Sequence, residues 1–219
     1  MRDLLSRLAD IPPVTAGNLA LSLLALPLIA LLGERVVEIG PIAELAVQWG
    51  LVAAVVGVAV SGEDQSFAEI GFRRPTWGDL GYTLATAVAA LLVFAGTDPV
   101  VEALGLPVAG DAGTMTAGVG VGVALARVVT TGIVEEILFR GYPIEGLVAY
   151  TGSPLVAGGL TWGVFTFAHA AVWPAGNLLQ VAAVAAVLTA VYLRRRTLFP
   201  VIGAHVLVWA LSVMGQYYG

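Results

Sequence analysis

Residues 177–196 read NLLQVAAVAAVLTAVYLRRR, an apolar run from 177 to 193 closed by Arg194, Arg195 and Arg196. A helix that spans a bilayer needs roughly 20 apolar residues, with a range of about 17–25. Arginines at one end of such a run mark the cytoplasmic surface. Working outward, six further runs of this kind lie at 15–33, 43–61, 81–97, 115–140, 154–172 and 198–215. Polar or turn-forming residues separate them, notably Gly33-Glu34-Arg35, the segments 62–81 and 97–113, and Thr151-Gly152-Ser153-Pro154. Backbone groups in lipid must bond internally, and the runs are too long for barrel strands, so they are helices.

The composition agrees. Hydrophobic residues make up 58% of the 219 and charged residues 11%, with a mean hydropathy of +0.92. Soluble domains carry about 25% charged residues, so a soluble enzyme, a nucleic-acid binder and a disordered segment are all excluded. The net charge is −5 and lysine is absent, which leaves no basic patch for phosphates. The absence of cysteine excludes disulfide scaffolds, thiolate zinc sites and thiol chemistry. The expected fold is all-α, a polytopic transmembrane bundle of about seven to eight spans, any eighth helix being a short one within 36–50 or 99–110. The chain reads as one integral membrane domain, with anchoring helices and loops over 1–110 and a helical core over 111–219. The first run has a polar lead and no small-x-small cleavage site, so it reads as a retained anchor.

Arg2 and Arg7 precede the first run, Arg73 and Arg74 lie in the second loop, and Arg194–Arg196 follow the sixth run. The alternate loops hold Arg35. Seven spans with a cytoplasmic N-terminus place every cluster on one side. The stretch Gly71-Phe72-Arg73-Arg74-Pro75-Thr76-Trp77 reads as interfacial, with Trp and Arg at headgroup level.

Ionisable groups inside a membrane are costly and raise a functional hypothesis by default. The densest group is Val134-Glu135-Glu136-Ile137-Leu138-Phe139-Arg140. Glu136 and Arg140 share a helix face with the acid on the favourable N-terminal side. Glu135 points about 100° away around the axis and lacks a partner nearby in sequence, as suits a general base. The competing reading makes all three a structural ion cluster at the interface. The chain's two histidines, His169 and His205, both fall in apolar runs. His169 has Phe165 one turn before it. His205 follows Gly203-Ala204, small residues that permit close helix approach, and Trp209 lies one turn later.

Helix geometry lets these groups meet. Glu135 lies 17 residues before Gly152 and His169 lies 17 after it, so a hairpin turning there sets them at equal depth. His205 is about 13 Å past Arg196, and the hairpin must protrude roughly 12 Å into the cytoplasm to bring all three level.

At these residues the sequence resembles the CPBP intramembrane proteases, the family of the CAAX prenyl endopeptidase Rce1 and the bacterial Abi proteins. Glu-Glu-x-x-x-Arg stands as Glu135, Glu136 and Arg140, followed by Gly141. Phe-x-x-x-His stands as Phe165 and His169, and the third motif begins at His205. The resemblance covers about 115–215 and implies a catalytic core of four helices. Where the family commonly places Asn, four residues after the last histidine, this chain has Trp209. Its indole N–H takes over the donor role, or His205 acts alone, or the site is altered.

The resemblance implies hydrolysis of a peptide bond in a membrane-associated substrate, in the eukaryotic theme a lipidated one, within a cavity open to the cytoplasm. In this reading Glu135 and His169 activate a water and His205 stabilises the oxyanion, while Glu136, Arg140, Phe165 and Trp209 support them. No cofactor is expected. Zinc held by Glu135, His169 and His205 is the alternative, disfavoured because no outer hydrogen-bonding partner for the ligands is visible in the sequence. Two other classes compete: a non-catalytic immunity-type or scaffold protein using the motif as a polar core, favoured by Trp209, and a proton-coupled transporter, against which no inverted repeat is visible. Arginine without lysine, with heavy use of Ala, Val and Gly, points to a prokaryotic cell membrane.

Overall fold

The computed structural model describes residues 2–36, 40–109, 113–170 and 172–219. Among these every regular element is helical: α1 (Arg2–Ala9), α2 (Pro13–Val36), α3 (Pro41–Gly62), α4 (Trp77–Ala103), α5 (Gly113–Thr116), α6 (Val121–Glu136), a π-helical turn (Ile137–Gly141), α7 (Tyr142–Thr151), α8 (Pro154–His169), α9 (Ala175–Arg195) and α10 (Phe199–Tyr218). Local sequence sets the boundaries. Pro41 opens α3 behind an extended Gly40, where its missing N–H costs nothing. Thr76 and Asp79 close a reciprocal capping box on α4. Ser153 caps α8 through Val156 N–H, and Gly152, at φ +66°, ends α7 in the left-handed region.

Five of the seven apolar runs fold as helices long and apolar enough to cross a bilayer, so the chain is an integral membrane protein. The two runs that carry Glu135 and His169 differ from the expected single spans. The run 115–140 is split at Gly118 (φ +67°) and an extended Gly120, so α6 starts only at Val121 and continues through the π turn into α7. The run 154–172 stops its helix at His169, giving 16 residues, about 24 Å. No separate helix forms within 36–50 or 99–110 among the described residues, because α3 begins at Pro41 and α4 runs on to Ala103.

The helices close into a ring. α3 packs on α2 and α6, α2 on α7 and α8, α8 on α9, α9 on α4, and α4 and α6 both on α10. Leu92, Leu155 and Phe167 lie exposed on outward faces, where lipid is the solvent. Inward faces hold Val55, Val128, Val134, Leu138 and Val201, all fully buried.

The arginine clusters share one end. Arg7 lies against Gly152 of the α7–α8 turn. Arg195 pairs with Asp79 at the start of α4 at 2.8 Å, and Arg196 pairs with Glu145 of α7. Leu198 N–H bonds to Gly71 O at 2.9 Å, tying the 63–76 loop, with its exposed Arg73 and Arg74, and the exposed Trp77 that opens α4, to this end. The side chains of Arg2 and Arg35 lie outside the described residues.

Candidate active site

The site begins with a backbone irregularity. Straight after Glu135-Glu136 the helix widens, and Tyr142 N–H bonds to Ile137 O in π register. The next donor in that register belongs to Pro143, which has no N–H. The carbonyl of Leu138 is thus left without a backbone partner, and the fully buried Ser22 hydroxyl of α2 donates to it at 2.7 Å. Local widening of this kind recurs at functional sites.

Glu136 and Arg140 are both buried, at 0% and 1% exposure, and pair at 3.0 Å. The Arg140 guanidinium stacks 4.1 Å above the Phe165 ring centroid. The same oxygen of Glu136 accepts from His205 Nδ1 at 2.8 Å. A carboxylate cannot donate, so the proton sits on Nδ1 and the other ring nitrogen is turned to Glu135. His169 is fixed the same way: its Nδ1 donates to Phe165 O at 2.8 Å, one turn back in α8. Its Nε2 lies 3.9 Å from Glu135 Oε1, and His205 Nε2 lies 3.9 Å from Glu135 Oε2. The structure therefore brings Glu135, His169 and His205 together, with Glu136, Arg140 and Phe165 behind them. Each 3.9 Å gap exceeds a direct hydrogen bond and leaves the carboxylate free to bind a water.

A close helix crossing sets the spacing. A Cβ placed on Gly132, one turn before Glu135, would fall 2.6 Å from Val206 Cγ2, beside His205. Only glycine lets α6 and α10 approach this closely.

The three groups floor a cavity of about 840 Å³. Its walls include Leu26 and Ile29 of α2, Val47 and Gln48 of α3, Phe94 of α4 and Leu188 of α9. Trp173 and Trp209 also line it, with ring centroids 6.4 Å apart. The indole N–H of Trp209 makes no hydrogen bond among the described residues, and the side chain packs against the buried apolar cluster of Ala124, Val128 and Val213. Glu44 of this wall pairs with Arg127 of α6 at 3.0 Å. Sequence reading missed Ser22, Gly132, Glu44, Gln48 and Trp173. Only the polarity of Ser22, Glu44 and Gln48 in apolar runs signalled them.

The donor set of one carboxylate and two imidazoles is a legitimate kind for zinc. Each histidine also carries the outer hydrogen bond that metal-bound imidazoles use, to Phe165 O and to Glu136, partners that sequence spacing did not make visible. The spacing fits less well. Two ligands of a tetrahedral zinc stand about 3.4 Å apart, less than the 3.9 Å found here. No cluster of three His, Asp or Glu side chains suited to a metal ion occurs among the described residues.

Residues 117–211 match the family described as Rce1-like, type II CAAX prenyl endopeptidase Rce1-like. This is the group that the three motifs resemble, and it supports a membrane-embedded endopeptidase. No curated protein and no solved structure matches the chain.

Proposed function

From the similarity of residues 117–211 to the CAAX prenyl endopeptidases, we propose that this chain is an intramembrane endopeptidase whose water is activated by Glu135. The observation that carries the reading is a carboxylate held between two oriented imidazoles, 3.9 Å from each. A water between Glu135 Oε1 and His169 Nε2 gives a proton to the carboxylate as its oxygen attacks the scissile carbonyl. The lone pair at His169 Nε2 accepts the water's other hydrogen, because Nδ1 is committed to Phe165 O.

The tetrahedral intermediate places an oxyanion near His205. With Nδ1 committed to Glu136, His205 donates to that oxyanion only when Nε2 also carries a proton. The Glu136 carboxylate balances the resulting ring charge. Such a donor is worth on the order of 10²–10³ in rate. Collapse of the intermediate breaks the C–N bond, and the proton held by Glu135 passes to the leaving amine. One water is consumed, and an acid and an amine are released. Glu136, Arg140 and Phe165 act through the histidines rather than on the substrate.

Incubating the purified protein with a panel of membrane-anchored peptides tests this. Cleavage by the parent, with Glu135→Ala and His169→Ala folded but inert, supports the reading, and normal cleavage by both variants overturns it. Metal analysis and cleavage in chelator test the water against zinc: stoichiometric zinc with loss of activity would replace the water mechanism by a metal one.

A further inference from the structure

We infer that Gln48 and Thr131 form a subsite for the main chain of the substrate, on the cavity wall one helix turn from Glu135. The inference rests on the endopeptidase reading for the word substrate. It deepens that reading by naming the form in which the polypeptide binds, extended rather than helical.

Two links set α3 in register with α6. Glu44 pairs with Arg127 at 3.0 Å, and Trp49 Nε1 donates to Thr130 Oγ1 at 3.2 Å. The partners rise in number together, so the two helices run parallel here. Four residues on from the ion pair is therefore one turn along each helix. The residues reached are Gln48 and Thr131, which stand level with one another, and both line the cavity. Four more residues along α6 lead to Glu135, on the same helix face and about 6 Å further on.

Neither side chain makes a hydrogen bond among the described residues, whereas Glu44 is engaged by Arg127. The wall around them is apolar, with Ile29, Val47, Phe94 and Leu188. In such surroundings each main-chain N–H and C=O left unbonded is costly. A helical substrate satisfies these groups internally and gains nothing from Gln48 and Thr131. An extended one does gain: the Gln48 amide both donates and accepts, and the Thr131 hydroxyl can do either. An extended chain advances about 3.3 Å per residue, so the subsite lies about two residues from the scissile carbonyl at Glu135. The substrate class is a membrane-anchored polypeptide whose apolar segment gives up helix easily, through Gly, Pro or β-branched residues.

The test measures binding apart from cleavage, with the full chain carrying Glu135→Gln in lipid nanodiscs. The probe is a fluorescent, lipid-anchored peptide of Val, Gly and Ala, with twins in which one main-chain amide at a time is an ester. Each ester removes a single N–H. One ester position is expected to weaken binding about tenfold, the worth of one hydrogen bond in an apolar site. Adding Gln48→Leu or Thr131→Val should weaken the all-amide peptide by a similar factor. The ester's own effect should then vanish in whichever variant has lost the acceptor of that N–H. Because neither side chain has a partner in the fold, both variants should keep the unfolding temperature of their parent. Additive losses in both variants, equal binding of all twins, no binding, or a lowered unfolding temperature each overturn the inference. The protease reading fails separately: coupling without cleavage by the parent keeps the subsite and removes the peptidase, and cleavage without coupling does the reverse.

Discussion

Glu136 Oε1 accepts a hydrogen bond from His205 Nδ1 at 2.8 Å while also pairing with Arg140 at 3.0 Å. One buried oxygen thus ties the sixth helix to the tenth and turns the free nitrogen of His205 toward the neighbouring Glu135.

Removing the charge of Glu136 should therefore separate stability from activity. Glu136→Gln leaves Arg140 buried without a counter-charge, a loss of about 3–5 kcal/mol. Replacing both partners by apolar groups is often neutral, so Glu136→Leu with Arg140→Met should recover most of the thermal stability in detergent. Cleavage should stay lost, because nothing then holds His205. Recovery of both together would show that the pair acts only as a structural brace.

The α6–α10 crossing offers a second handle. Gly132→Ala forces its new methyl against Val206, at 2.6 Å before relaxation. Misplacement of catalytic groups by about 1 Å costs around 10²-fold in rate. The expectation is a fall in kcat of that order with KM little changed, and partial rescue by Val206→Ala. An unaffected kcat would mean that the crossing does not set the Glu135–His205 spacing.

Ser22 belongs to the first anchoring span yet completes the π turn. Ser22→Ala leaves the Leu138 carbonyl buried and unpaired, a cost of about 1–3 kcal/mol. Adding Pro143→Ala supplies the missing N–H and should restore the loss, as unfolding in detergent would reveal. Without that rescue, the carbonyl is not what Ser22 stabilises.

Trp209 occupies the position where the related motif commonly has Asn. Its indole packs among apolar side chains and against Trp173, so Trp209→Phe should cleave nearly as well as the parent. A drop of about 10²–10³ in kcat would instead make the indole an oxyanion donor.

The helical membrane class and the meeting of Glu135 with His169 were readable from the sequence for a physical reason. Ionisable groups are rare in apolar runs, so each stands out, and equal arms about Gly152 set two of them at one depth. Less of the support was readable. Helices α2, α3 and α4 are apolar nearly all round, as helices in lipid are, so no polar stripe reveals which face Ser22, Glu44 or Phe94 turns inward. The π turn depends on a missing N–H at Pro143 combined with a partner more than a hundred residues away in the chain. The bond between Glu136 and His205 was equally hidden: sequence spacing pairs Glu136 with Arg140 one turn later and says nothing of a third partner from α10.

The central claim is tested most directly by the peptide ends in membranes of cells carrying either the parent chain or Glu135→Gln, an isosteric change that keeps the shape of the site. The account predicts at least one new peptide end that appears with the parent and vanishes with the folded variant. Identical sets of ends, with both proteins present at equal levels, would contradict it.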